Sequence, residues 1–212
     1  MAGILTVCDA NVCRSVAAEL LLSAEFSRHT SLAGVNVSSR GAQAIPAHSA
    51  CALVAEMHDD ESWTARARKH RSRQLDVAAI DDADLILTAT TSTRAVVVSL
   101  VPSARRRVFT LREALWLASG FTPMAGAVGT DLVRDFTGHL DAQRGLRQVP
   151  VKRTVPWRRA VHPFDIVDGH GAGRRAHVAT LQQVQSTVAE LVMVLAKDPT
   201  LPFLSTRRTP VQ

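Results

Sequence analysis

The run Ile4-Leu5-Thr6-Val7, followed at once by a polar turn and a helical pattern, constrains this chain more than any other feature. A short apolar run rich in β-branched residues reads as a strand covered on both faces. The polar turn spans Cys8 to Arg14. Ser15 then reads as a helix N-cap, ahead of Ala17, Leu20, Leu21 and Ala24 at helical spacing. Strand, loop and helix inside about 25 residues are the opening unit of a parallel sheet.

The alternation continues. Val35-Asn36-Val37-Ser38 reads as a second strand stopping at Gly41, and Pro46 to Met57 as a second helix. Asp84 to Thr88 is a third strand. Arg94 to Leu100 is a helix ended by Pro102. Val108 to Leu111 is a fourth strand leading into a helix from Arg112 to Ala118. Val178, Leu181, Val184, Val188, Leu191 and Leu195 give a last long helix. The expected fold is therefore α/β, a three-layer doubly wound architecture with a four-stranded parallel sheet and helices on both faces. Residues 119–163 break the pattern with Gly120, Pro123, Gly126, Gly129, Pro150, Pro156 and Pro163, and read as an insertion with helix from Thr130 to Gln143. One domain over 1–196 and a C-terminal tail over 197–212 are expected.

Composition narrows the class. At 212 residues and 46% hydrophobic, the chain can bury one core of this kind. Three cysteines cannot build a disulfide framework, no apolar run reaches the ~20 residues of a membrane span, and the N-terminus has no basic leader. A cytoplasmic protein without a membrane span is expected. Charge is uneven: 9 Lys/Arg face 11 Asp/Glu in residues 1–103, and 16 face 8 in residues 104–212. The basic stretch Arg144, Arg147, Lys152, Arg153, Arg158 and Arg159, with only Trp157 interleaved, reads as a solvated insertion, and nucleic-acid binding is not expected.

The chemistry sits in Cys8-Asp9-Ala10-Asn11-Val12-Cys13-Arg14-Ser15. The cysteine lies where a buried strand ends and the arginine where a helix begins, and open α/β sheets bind ligands at the carboxyl ends of their strands. Five residues between Cys8 and Arg14 can wrap main-chain N–H groups round a tetrahedral oxyanion, at a helix N-terminus that favours negative charge. Arg14 can grip two of its oxygens through the guanidinium fork. The same field favours a sulfur anion at Cys8, facing phosphorus.

These residues resemble the low-molecular-weight protein-tyrosine phosphatases, a family sharing its fold with arsenate reductases, whose signature Cys-x-Gly-Asn-x-Cys-Arg-Ser follows an apolar strand. Val37 to Gly41, His70-Arg71-Ser72-Arg73-Gln74-Leu75, Asp84 to Thr88, Val108 to Glu113 and Asp165-Ile166-Val167-Asp168 are similar to further family segments. The resemblance implies a metal-free, cofactor-free phosphomonoester hydrolase, most simply a protein-tyrosine phosphatase working through a phosphocysteine. It implies Cys8 as nucleophile, Arg14 as phosphate clamp and Asp168 as general acid. Asp9, Ala10, Asn11, Val12 and Cys13 would form the phosphate loop. Ser15 would donate a hydroxyl to the Cys8 sulfur, and Asn11, Ser39 and His70 would brace the loop. Cys13 is either a small buried loop residue or, as the resemblance implies, an oxidative disulfide partner of Cys8; Cys51 reads as core. The partner would be a phosphorylated protein or a small phosphomonoester.

The chain departs from the pattern at three places. Ala10 stands where the family has glycine, which costs about 1 kcal/mol if that position needs φ > 0. Val16 replaces a proline. Gly169-His170 stands where Pro-Tyr is usual, which should loosen the acid loop. With no tyrosine in the chain, His170, Trp63 or Phe164 must supply any ring that stacks on the substrate, and Asp165 is a second candidate acid. His162, His170 and His177 around Asp165 and Asp168 fit no standard metal spacing, so no metal is expected. Two other readings remain open: an arsenate reductase on the same fold, and a catalytically weak phosphate-binding or interaction protein.

Overall fold

The computed structural model describes residues 3–149 and 161–196. Four parallel strands, β1 (Gly3–Cys8), β2 (Asn36–Gly41), β3 (Leu85–Thr88) and β4 (Val108–Thr110), lie in the order β2-β1-β3-β4. β1 is central: Ile4 pairs with Val37 on one side and Leu85 on the other. All six β1 residues are buried, as a strand covered on both faces requires.

The period-2 rule divides the core. Ile4, Leu85, Leu87 and Phe109 pack on one face with helices α1 (Arg14–Phe26), α6 (Leu111–Leu117), α7 (Gly129–Gln143) and α8 (Arg174–Ala196). Leu5, Val7, Ile86 and Val108 pack on the other with Leu75, with Ile80 of α4 (Val77–Asp81) and with Val97 of α5 (Thr91–Leu100). The doubly wound three-layer fold is as expected. Each fully buried Leu or Phe here contributes about 1.5–3 kcal/mol relative to exposure.

Several elements differ from the sequence reading. Pro46 to Met57 forms only the four-residue helix α2 (Ala52–Ala55). The preceding segment is held open by Ser72, whose Oγ donates to Ile45 O at 2.5 Å and accepts from His48 N at 2.8 Å, with Ala47 at φ 63°. Two helices went unread, α4 and α3 (Glu61–Lys69). The α3 sequence is largely polar and buries only Trp63 and Ala67, so it carries little periodic signal; Asp60 caps it by accepting from Trp63 N. Ser15 is not the cap of α1: Cys13 holds that position without a side-chain cap bond. Pro102 opens a 3₁₀ turn, Pro102–Arg106, just beyond α5.

The region read as an insertion contains α7, whose Leu132, Val133, Phe136 and Leu140 join the core. Lys152, Arg153, Trp157, Arg158, Arg159 and the tail 197–212 lie outside the described residues. Arg144 and Arg147 are not a solvated patch. Arg144 donates to Arg105 O and Val108 O at 2.7 Å, pairs with Glu113 at 3.4 Å and lies 4.1 Å over the Phe109 ring, while Arg147 bonds Trp116 O.

By length and composition, α8 is apolar enough to cross a membrane, the one such helix among the described residues. Half of that apolar window is buried here, and Leu181, Val184, Val188, Leu191 and Leu195 join the core where α8 packs on α1 and α6.

Candidate active site

The site forms where β1, β3 and β4 end. Segment 164–168 lies across those ends: Thr110 Oγ1 donates to Phe164 O at 2.9 Å, Ile166 N to Ala89 O at 2.9 Å, and Thr91 N to Asp165 Oδ1 at 2.7 Å. Asp165 is thereby spent on the first turn of α5, and its neighbour Asp168 reaches the loop after β1. One cavity of about 230 Å³ is lined by Cys8, Ala10, Val12, Cys13 and Arg14 from that loop, by His48 to Cys51, and by Asp168 and His170.

Cys8 is buried, and its Sγ lies 3.0 Å from Ser15 Oγ. Among the described residues, the main-chain N–H groups of Asp9 to Cys13 donate to no protein acceptor, which leaves them for an anion. Asn11 carries the left-handed conformation of the loop, at φ 55°. The expected strain therefore does not fall on Ala10; asparagine tolerates this region better than other residues with a Cβ. Gly41 makes the close approach instead, since a Cβ there would stand 2.7 Å from Asp9 O.

Asn11 is fully buried and holds the loop from every side. Its Nδ2 donates to Ser15 Oγ at 3.0 Å and Ser39 Oγ at 2.8 Å, its Oδ1 accepts from Arg73 N at 2.9 Å, and its main-chain oxygen lies 2.9 Å from His70 Nε2. Ser39 passes the chain on to Glu19 Oε2 at 2.5 Å, a partner sequence reasoning missed.

Arg14 is 2% exposed, yet its charge is anchored. Nη2 donates to Asp9 Oδ2 at 2.9 Å and Asp168 Oδ2 at 3.0 Å, and Nη1 to Ile166 O at 3.1 Å. Burial opposes the charge, but Cys8, Asp168 and Asp9 outweigh it and hold the guanidinium above its ordinary value. Its Nε is buried without a partner, a donor that an anion in the cup would satisfy. Asp9 also accepts from Thr93 Oγ1 at 3.2 Å.

Gly169 does not loosen the acid loop. A Cβ there would lie 2.4 Å from Ala176 O and 2.6 Å from Thr180 Oγ1, so glycine lets the loop seat directly on α8. Thr180 Oγ1 donates to Val167 O at 3.0 Å, and His170 N to Asp168 Oδ1 at 2.9 Å. Of the three candidate rings, Trp63 is core, with its Nε1 donating to Val54 O, and Phe164 is buried against Trp116. Only His170 reaches the cavity, joined by His48.

The three histidines of the last third separate. His162 Nδ1 accepts from Phe164 N at 3.3 Å, His170 is exposed, and His177 is buried. His177 Nε2 lies 2.8 Å from Cys13 Sγ and 3.5 Å from Cys51 Sγ. Cys51 is thus a member of a polar cluster at the N-cap of α2, beyond the core role read from the sequence. A hydrogen bond shared with Cys51, then burial, push the Cys13 thiol far up; the same bond holds Cys51 below its ordinary value. Burial pushes His177 down, towards the neutral ring.

A four-stranded doubly wound sheet with a Cys-x5-Arg loop at the end of a central strand is an oxyanion-binding arrangement, with a cysteine at its floor and an arginine at its rim. The family model described as low molecular weight phosphotyrosine protein phosphatase matches residues 3–118, more than half of the chain, and the chain belongs to that family. Similar solved structures include a YwlE arginine phosphatase with a phosphorylated active-site serine (23% identity, 94% of this chain and 98% of the other, TM-score 0.58). Others are the YwlE arginine phosphatase from Geobacillus stearothermophilus (23%, 92% and 92%, 0.56) and a low molecular weight protein tyrosine phosphatase from Bacillus subtilis (23%, 93% and 99%, 0.57). These likenesses show a shared fold. No curated protein matches the chain.

Proposed function

We propose that this chain is a protein-tyrosine phosphatase that hydrolyses phosphomonoesters through a phosphocysteine on Cys8. The observation that carries it is that Cys8, Arg14 and Asp168 line one cavity, with the buried Nε of Arg14 left without a partner. The phosphate oxygens take the free loop amides and the Arg14 fork. The Cys8 thiolate attacks phosphorus, the bond to the leaving oxygen breaks, and Asp168 gives that oxygen its proton. Asp168, now a carboxylate, takes a proton from water as the water attacks the phosphocysteine. The P–S bond breaks and the thiolate departs, stabilised by the Ser15 hydroxyl.

A second substrate, phosphoarginine, is favoured by the rim. Asp9 and Asp168 are 46% and 47% exposed and would attract a guanidinium, while among the described residues the wall carries histidines with no phenyl, phenol or indole ring. Two of the similar structures are named as arginine phosphatases.

Metal-free assays with phosphotyrosyl and phosphoarginyl peptides decide between the two. Turnover of the first, abolished in Cys8→Ser, is expected. Turnover of phosphoarginine alone favours the second reading. Phosphate binding without turnover of either returns the chain to an interaction protein, and faster arsenate reduction with a thiol donor returns it to a reductase.

A further inference from the structure

Cys13, Cys51 and His177 come from three separate places: the end of the phosphate loop, the start of α2 and the first turns of α8. The two sulfurs and Nε2 lie within 4.8 Å of one another, and all three residues are buried. The two sulfurs share a hydrogen bond, and the ring can add only one more to that pair. A ring nitrogen has one in-plane lone pair or one N–H, so Nε2 serves one sulfur and not both, although both face it at 2.8 and 3.5 Å. The reaction of Cys8 uses neither Cys51 nor His177.

We propose that Cys13, Cys51 and His177 form a Cys₂His site for a zinc ion. Thiolate and imidazole are the donors zinc takes, and three protein ligands with a fourth position open is an established zinc arrangement. Bond lengths of about 2.3 Å to sulfur and 2.0 Å to nitrogen put tetrahedral donors about 3.5–4 Å apart, so the ring and sulfurs need only small side-chain shifts. Charge also balances: two thiolates, a divalent cation and a neutral imidazole sum to zero, which makes burial inexpensive. His170 packs edge-on to the His177 ring, 4.8 Å between centroids, beside the site. Binding displaces the protons the two sulfurs hold, so affinity weakens as the pH is lowered. The ion ties the last residue of the phosphate loop to α2 and α8, reinforcing the bond that Cys51 N donates to Val12 O at 3.0 Å.

The test reads metal, not phosphatase activity, so it stands or falls apart from the catalytic proposal. Full-length protein, reduced, stripped with chelator and kept anaerobic, is titrated with cobalt(II). One equivalent is expected to produce a thiolate-to-cobalt charge-transfer band that zinc abolishes. Cys51→Ser and Cys13→Ser should each remove about half of the band, His177→Gln should weaken binding at least about 10-fold, and Cys8→Ser should leave the band in place. Circular dichroism shows whether each variant is folded; should one serine variant fail to fold, the other and His177→Gln carry the test. The proposal is overturned by the absence of a band in the wild type. It is equally overturned by a band lost in Cys8→Ser and kept in Cys51→Ser, which puts the ion on the reactive thiol. Loss of two thiols with a mass two hydrogens lower in Cys8→Ser as isolated, before reduction, also overturns it, because Cys13 and Cys51, the two cysteines left in that variant, then form a disulfide.

Discussion

Asp168 accepts a hydrogen bond from Arg14 Nη2 at 3.0 Å, joining the acid loop to the phosphate loop across 154 residues of chain. This pairing competes with substrate, because an oxyanion in the cup needs the same guanidinium edge. Asp168→Asn should therefore act in two directions. Without a proton to give, kcat on esters with poor leaving groups should fall about 10²-fold, and much less for p-nitrophenyl phosphate. Without the competing carboxylate charge, inhibition by inorganic phosphate should tighten. An equal loss with both leaving groups would remove Asp168 from the proton transfer.

Asn11 is the residue on which the loop turns. Asn11→Ala strands Arg73 N and the hydroxyls of Ser15 and Ser39, and should cost about 2–4 kcal/mol of unfolding free energy together with most of the activity. Asn11→Gly loses the same bonds but accepts φ 55°, and should recover about 1 kcal/mol of that loss in chemical denaturation.

The legible parts of this site are those that lie close together in the chain. Cys8, Arg14 and Ser15 occupy one turn between a strand and a helix, so local pattern places them. Asp168 was reached only through resemblance, since it meets Arg14 by way of Thr91, Thr110 and Ala89, which hold 164–168 across the sheet. Cys51 and His177 stand 126 residues apart and no spacing rule joins them. Pro46 to Met57 reads as one helix, but the Ser72 hydroxyl, 24 residues from His48, holds its first residues open.

Gly169→Ala should unseat the acid loop from α8. The added methyl would meet Ala176 O at 2.4 Å, and backbone cannot yield as a flexible side chain does. A loss of about 1–3 kcal/mol is expected in urea unfolding. A fall in kcat exceeding that for phosphate binding should accompany it, because the displaced group is Asp168 and not the cup.

Acid sensitivity should come partly from His58. Burial pushes its ring below the ordinary value of 6.5, its Nε2 is buried without a partner, and it packs edge-on against Trp63 at 4.4 Å. The unfolded chain thus takes up a proton at a higher pH than the folded one. The contribution of His58 is complete above pH 6.5 and is lost as pH falls from there towards the lower folded value. The urea midpoint of the wild type should fall over that window, and less steeply in His58→Phe, which keeps a ring against Trp63 and cannot titrate. An unchanged slope would assign the acid sensitivity elsewhere, with His177, shifted the same way by burial, as the next to substitute.

In the proposed mechanism Ser15 would act differently on the two chemical steps. Its hydroxyl is 3.0 Å from the Cys8 sulfur and also accepts from Asn11 Nδ2, which leaves its own proton for the sulfur. In the first step the sulfur is consumed as a nucleophile and gains little from that donor. In the second it leaves as a thiolate and gains the whole bond, worth about 1.5–3 kcal/mol for a charged partner. Ser15→Ala should thus slow breakdown of the phosphocysteine by roughly 10- to 100-fold while forming it at a near-normal rate. Rapid mixing with p-nitrophenyl phosphate should then show a burst of nitrophenol equal to the enzyme concentration, followed by slow turnover, and quenched samples should carry phosphate on Cys8. A slow first turnover with no burst would place the hydroxyl in nucleophile formation instead.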